Sequence, residues 1–335
     1  MELLRIVAML GVLIVHADFY SLGAPTKEDC LTAPFVTTIR ILVESATIIS
    51  VNLFVLLSGW YGIRAKKNRL FEFLFQILFF NLLFFTIFSF FIPNKTFSKD
   101  GIESVFVLDK SLWFVKAYLL LYLLSPILNA FSEKATQKQY KFILIGFFVF
   151  QTVFGWLFHS VVWFKGGYST ISFIGLYLLS GYYHKFGSRN PRKRTLLLIF
   201  LSFLLINSTL LYSSIYKFNG AYNNFFVDYN SPMVIIASLS IFLLFTKLHI
   251  KKNKILNYIA ASCFAAYLFQ LNHFFAHEIF ITSIKRSFIN NDFFIFLIET
   301  TLFLITIFIT SIILDKIRLW IWEWIVSKNT RANKL

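Results

Sequence analysis

Arg5 and His16 stand eleven positions apart in the apolar run MELLRIVAMLGVLIVHADFY at residues 1–20. Wound as an α-helix with 3.6 residues per turn, that spacing makes about three full turns, so both side chains share one face, ~16 Å apart along the axis. A guanidinium is a planar, permanently charged fork that grips phosphate through two hydrogen bonds. An imidazole titrates near neutrality and takes a proton from a hydroxyl. One helix face therefore carries a phosphate-binding cation at one end and a base at the other. That layout fits a phosphorylated carrier whose long arm reaches a base part-way through a membrane.

An ionisable residue inside a membrane segment costs ~2.5–3.5 kcal/mol on insertion scales, which makes each one a functional candidate. Beside His16 stands Asp18. Further along come Glu44, then Trp113, Lys116 and Tyr118, and later Gln270, Asn272, His273, His277 and Glu278. Arg64, Arg69 and Glu72 form a second group next to a basic cluster. Each has a plainer reading. Asp18, His277 and Glu278 are expected to reach headgroup water, Glu44 and Lys116 to form an ion pair between helices, and Arg64 and Arg69 to set topology. His16 and His273 read equally as hydrogen-bonding groups between helices.

The elements that must position these residues follow from composition. Of 335 residues, 58% are hydrophobic and 14% charged, with 44 phenylalanines; a soluble domain carries about 25% charged residues. Spanning a bilayer takes about 20 mostly apolar residues as a helix. Ten segments qualify, at 1–20, 40–62, 70–92, 112–131, 141–161, 168–184, 194–216, 229–248, 255–281 and 293–315. The expected fold is thus all-α, a polytopic membrane bundle. The first segment lacks a lysine-rich start and a small-x-small cleavage site, so it reads as a retained helix rather than a signal peptide.

The net charge of +16 would suggest nucleic acid in a soluble protein. Here the cations gather in alternate loops. These are Arg64, Lys66, Lys67 and Arg69; Lys134, Lys138 and Lys141; Lys185, Arg189, Arg192, Lys193 and Arg194; Lys247, Lys251, Lys252 and Lys254; and the tail with Lys316, Arg318, Lys328, Arg331 and Lys334. The intervening loops offset their lysines with acids, Lys27 with Glu28 and Asp29, and Lys95 and Lys99 with Asp100 and Glu103. By the positive-inside rule both termini face the cytoplasm, and the clusters meet anionic lipid rather than nucleic acid. Residues 1–315 form the membrane domain and 316–335 a basic tail, in which Trp320, Trp322 and Trp324 predict an amphipathic stub over 316–326 lying on the cytoplasmic leaflet. Cys30 and Cys263 read as unpaired thiols, and no cluster suggests a metal.

The segments themselves resemble a known family. LLRIVAMLGVLIVHA at 3–17 is similar to the opening of acyltransferase family 3, the bacterial transmembrane O-acyltransferases, whose hallmark is an Arg and a His separated by ten residues. NLFVLLSGWYG at 52–62 and SLWFVKAYLLLYLLSPIL at 111–128 resemble its next segments, and FIGLYLLSGYY at 173–183 and AAYLFQLNHFF at 265–275 its later ones. The resemblance implies acetyl-CoA as cytoplasmic donor, an extracytoplasmic carbohydrate as acceptor, and a bacterial inner-membrane location. It carries over Arg5 as the donor-side cation, His16 as the catalytic histidine, and Arg64 and Arg69 as the Arg pair after the second helix. There are two departures. The soluble hydrolase-like domain that some members carry after the helices is not expected here. In the ninth segment, Gln270 stands where the family usually has His, and His273 follows three residues later.

The expected function is transfer of an acyl group, acetyl first, to a hydroxyl of a surface polysaccharide or lipid-linked glycan. Arg5, Arg64 and Arg69 hold the CoA phosphates and His16 deprotonates the hydroxyl. Asp18 or Glu44 orients His16, Tyr118 or Lys116 stabilises the oxyanion, and Trp113, Asp18 and His273 meet the acceptor. Two rivals remain at this level. A polysaccharide polymerase or exporter is disfavoured by outer loops of only about twenty residues, and a small-solute carrier by the absence of a repeat.

Overall fold

The computed structural model describes residues 1–187 and 191–332, with side chains assigned through 327. Arg189 and Lys334 lie outside the described residues, as do the side chains of Lys328 and Arg331. In chain order the helices are α1 (Glu2–Val15), α2 (Lys27–Thr32), α3 (Pro34–Thr47), α4 (Ser50–Tyr61), α5 (Lys67–Phe91), α6 (Pro93–Thr96), α7 (Lys99–Val105) and α8 (Trp113–Lys134). There follow α9 (Gln137–Phe150), α10 (Thr170–Phe186), α11 (Lys193–Phe218), α12 (Asn224–Val227), α13 (Pro232–Thr246), α14 (Lys254–Gln270), α15 (His273–Phe275), α16 (Ile281–Asn290) and α17 (Phe293–Ala332).

Among the described residues, eight segments are long and apolar enough to cross a membrane. Helices α3 and α4 act together as one of them, Pro34–Tyr61. The expected ninth span is a bent pair, and the expected sixth is α10, only 17 residues long. The polarity is that of a membrane protein. On α17, Ile298, Leu302, Ile305, Ile309 and Ile313 are exposed at spacings of three and four, while Leu304, Ile307, Ser311, Asp315 and Arg318 on the other face are buried. Apolar side chains face outward because lipid welcomes them, and polar ones turn inward to find partners.

The chain divides into two compact units. The first comprises Met1–Ala65 and Trp113–Lys252. Within it, α4 packs against α1, α10 and α13, and α3 against α1 and α11. Gly11 makes the α1–α4 approach possible: a Cβ there would overlap the Ser50 hydroxyl. Small residues let helices come close in a medium that supplies no hydrophobic drive between them.

The second unit comprises Lys66–Leu112 and Asn253–Leu335, with α14 packed on α5 and α17. Two corrections arise here. First, the expected continuous span 255–281 is broken after Gln270 and bends by 58°. The cause is Asn272, whose side-chain oxygen accepts from the Phe274 and Phe275 amides at 3.1 and 3.5 Å and starts a new helix. An Asn side chain competes with the helical backbone for just such bonds. Second, no separate stub forms at 316–326, because α17 runs unbroken through it. Buried Arg318 donates to Asp315 at 2.7 and 2.9 Å, Gln76 donates to Asp315 at 2.8 Å, and Glu72 stands 3.5 Å from Arg318. That network ties the start of the segment to α5, while Ile317, Trp320, Trp324 and Val326 stay exposed.

Candidate functional site

The end of α1 widens into a π-helical turn, His16–Tyr20, in which His16, Ala17 and Asp18 are all buried. Widened turns of this kind recur at functional sites. Here Ser21 Oγ donates to the His16 carbonyl at 2.6 Å and closes the turn. The His16 ring lies 5.4 Å from that of Tyr20.

Asp18 does not reach headgroup water. It is 9% exposed and accepts from Arg40 Nε at 2.6 Å. Arg40, 7% exposed, also donates through Nη2 to the Gly23 carbonyl at 2.5 Å. Sequence reasoning passed over Arg40 because it stood at the edge of a candidate span; a cation at the first position of an apolar run was the available signal.

Glu44 sits one turn along α3 from Arg40, buried to 3% exposure, and its Oε2 has no hydrogen-bond partner within the protein. Lys116 stands on the exposed face of α8, whereas Glu44 is buried on the same helix as Arg40. The expected Glu44–Lys116 ion pair is therefore replaced by a buried triad of Asp18, Arg40 and Glu44 at the His16 end of α1.

The other end of α1 is wetter. Arg5 pairs with Glu2 at 2.7 Å, both side chains about one-third exposed. Such an exposed pair contributes little and yields readily to a better anion. Tyr118 hydrogen-bonds Ser58 of α4 at 3.1 Å. The turn after α4 is fastened by Tyr177, whose hydroxyl accepts from the Ile63 amide at 2.8 Å and donates to Asn129 at 2.6 Å; Asn129 in turn donates to the Ile63 carbonyl at 2.9 Å. This clamp presents Arg64, exposed, at the next position.

A family model described as an acyltransferase domain, that of acyltransferase family 3, matches residues 1–316. The chain belongs to acyltransferase family 3. It is a multi-pass helical membrane protein of acyltransferase type. No curated protein and no solved structure matches it.

Within this family member, His16 and Asp18 share the π-helical turn, Arg40 bonds Asp18 one turn from Glu44, and Tyr118 bonds Ser58 of α4, all in the first unit with Arg5. Trp113 begins α8 in the same unit, with its ring 4.6 Å from Tyr168 and 6.0 Å from Tyr229. Arg69, exposed, and His273 belong to the second unit. His273 Nδ1 stands 3.2 Å from Asp109, which also accepts from Ser111 at 2.7 Å. His277 is exposed, as expected, while Glu278 binds Lys95 at 2.7 Å. Cys30 and Cys263 are buried and not joined by a disulfide, and no group of three metal-ligating side chains occurs among the described residues.

Proposed function

We propose that this acyltransferase moves acetyl from cytoplasmic acetyl-CoA to a hydroxyl of an extracytoplasmic polysaccharide or lipid-linked glycan, from a bacterial inner membrane with both chain termini in the cytoplasm. The observation that carries the reading is the polarity of α1. Its Arg5 end holds a guanidinium about one-third exposed, paired to an equally exposed Glu2, and the same unit presents exposed Arg64. Its His16 end holds a buried histidine in one turn with buried Asp18, whose partner Arg40 lies one turn from Glu44, a buried carboxylate with an unpartnered oxygen. A phosphate-rich donor suits the first environment and a hydroxyl acceptor the second.

In this mechanism the CoA phosphates rest on Arg5 and Arg64. The pantetheine arm runs along α1, past Tyr118. His16 takes the proton of the acceptor hydroxyl as its oxygen attacks the thioester carbonyl. The C–O ester bond forms, the C–S bond breaks, and CoA leaves as a thiolate that receives the proton. The Asp18–Arg40 pair fixes the π-helical turn and so the ring of His16. Holding base and acceptor in place contributes more than base strength alone. Lys116, exposed on α8, is left out of the oxyanion site, and Tyr118 remains as its hydroxyl donor.

The test is reconstitution in proteoliposomes with radiolabelled acetyl-CoA on one side and envelope glycan on the other. Label in an alkali-labile ester on the glycan is the expected result. Glycan elongation or glycan export without acetyl transfer would instead support a polymerase or exporter.

A further inference from the structure

Beyond the charged triad, the first unit collects an unusual set of polar atoms around the turn that precedes α13. Asn230 is 1% exposed and Ser231 fully buried. Asn230 Nδ2, Asn230 Oδ1 and Ser231 Oγ have no hydrogen-bond partner within the protein, and neither does Oδ1 of fully buried Asn52. Asn52 belongs to the same place, because its Nδ2 donates to the Tyr229 carbonyl at 2.9 Å. A buried amide or hydroxyl left bare is costly, and a native fold keeps few of them without a purpose. Here amide donors, amide acceptors and a hydroxyl stand together, with no net charge among them.

Next to them stands a wall of three rings. Trp113 and Tyr168 are 4.6 Å apart, Tyr168 and Tyr229 4.7 Å, and Trp113 lies 6.0 Å from Tyr229 at an interplanar angle of 25°. Tyr168 is 41% exposed, which makes this wall accessible from one side. The wall is held tightly from behind. Gly167 adopts φ +94, and a Cβ on it would lie 2.6 Å from Tyr229 Cβ and 2.7 Å from the Asn230 amide. The cluster also lies along α1, since Asn52 belongs to α4 and Ser50, two residues before it, meets Gly11 of α1.

An occupant that satisfies both features presents an apolar face for the rings and neutral hydroxyls for the bare amides. A pyranose does this: its axial C–H groups form a flat apolar face and its equatorial hydroxyls both donate and accept. Pockets that combine aromatic walls with a few placed polar groups are the usual form of such sites. We infer that Trp113, Tyr168 and Tyr229, with Asn52, Asn230 and Ser231, form the saccharide subsite that presents the acceptor hydroxyl to the His16 end of α1. This inference rests on the acetyltransfer reading above.

The experiment uses the full-length protein in nanodiscs, labelled acetyl-CoA, and the envelope polysaccharide fraction of a strain lacking the enzyme as acceptor probe. Ser231→Ala and Asn230→Leu are each expected to raise the KM for the glycan about tenfold, the effect of one lost hydrogen bond of ordinary strength. Trp113→Ala is expected to raise it at least as much. The KM for acetyl-CoA stays within twofold in all three. Asn230→Asp, which keeps an oxygen and loses the amide donor, serves if a larger change fails to accumulate, and is expected to shift the glycan KM in the same direction. Unchanged glycan KM values with only a lower melting temperature would mean that the bare groups bind buried water, and would overturn the subsite. Wild-type protein that transfers no acetyl to any glycan would refute the parent reading instead, and the subsite with it.

Discussion

Arg40 on α3 donates through Nε to Asp18 at 2.6 Å, across 22 positions of sequence, and so ties a second helix to the π-helical turn that holds His16. Both side chains are nearly buried. Removing one partner strands the other charge, which typically costs ~3–5 kcal/mol. Arg40→Met is therefore expected to lower the melting temperature in detergent sharply and to abolish activity. The double variant Arg40→Met with Asp18→Leu is expected to recover most of the stability. If the single variant melts like wild type, the pair is not structural.

His16 is expected to act as the base. His16→Gln keeps hydrogen bonding but removes basicity, and a positioned base contributes ~10²–10⁴-fold in rate. Transfer should fall at least a hundredfold while acetyl-CoA binding, measured by calorimetry, is unchanged. Retention of more than about a tenth of wild-type turnover would remove His16 from the chemistry.

The second histidine provides the contrast. His273 and Asp109, 3.2 Å apart in the second unit, have the geometry of an oriented base. The function proposed here needs no second base, so His273→Gln is expected to lower turnover by less than tenfold. A loss equal to that of His16→Gln would move the assignment to His273.

Arg5 is expected to serve the donor. Arg5→Lys keeps the charge and loses the fork that binds phosphate in two places. The KM for acetyl-CoA should rise about tenfold with little change in kcat or in protein level. An unchanged KM would release Arg5 from the donor site.

Topology is open to direct labelling. In a background lacking both native thiols, a membrane-impermeant maleimide is expected to label Glu28→Cys and Lys99→Cys in intact cells, and Lys251→Cys only after lysis. Cys30→Ser is a mild change for that background. Burial pushes the Cys30 thiol above its ordinary value, and at 4% exposure it reacts slowly in any case. Labelling of Lys251→Cys in intact cells would invert the orientation.

What local spacing and polarity determine was legible in the amino-acid sequence: helical spans, the alternation of cationic loops, the Arg5–His16 face and the family they resemble. Each depends on residues within a few turns of one another and on the cost of charge in lipid. The tertiary structure alone decided who meets whom. Arg40 finds Asp18 at 22 positions' distance, and Asn52 finds the Tyr229 carbonyl at 177. The Glu44–Lys116 pair gave way to the Asp18–Arg40–Glu44 triad because Lys116 falls on the exposed face of α8. Asn272 bent a span that hydropathy reads as continuous, since a mean over twenty residues hides one side chain that captures two backbone amides. Buried Arg318 and Asp315 tie the start of the expected tail stub to Gln76 and Glu72 of α5, so that α17 runs on through it. Hydrogen bonds and ion pairs form between whichever groups packing brings within about 3 Å, and that proximity is a property of the folded chain and not of its order.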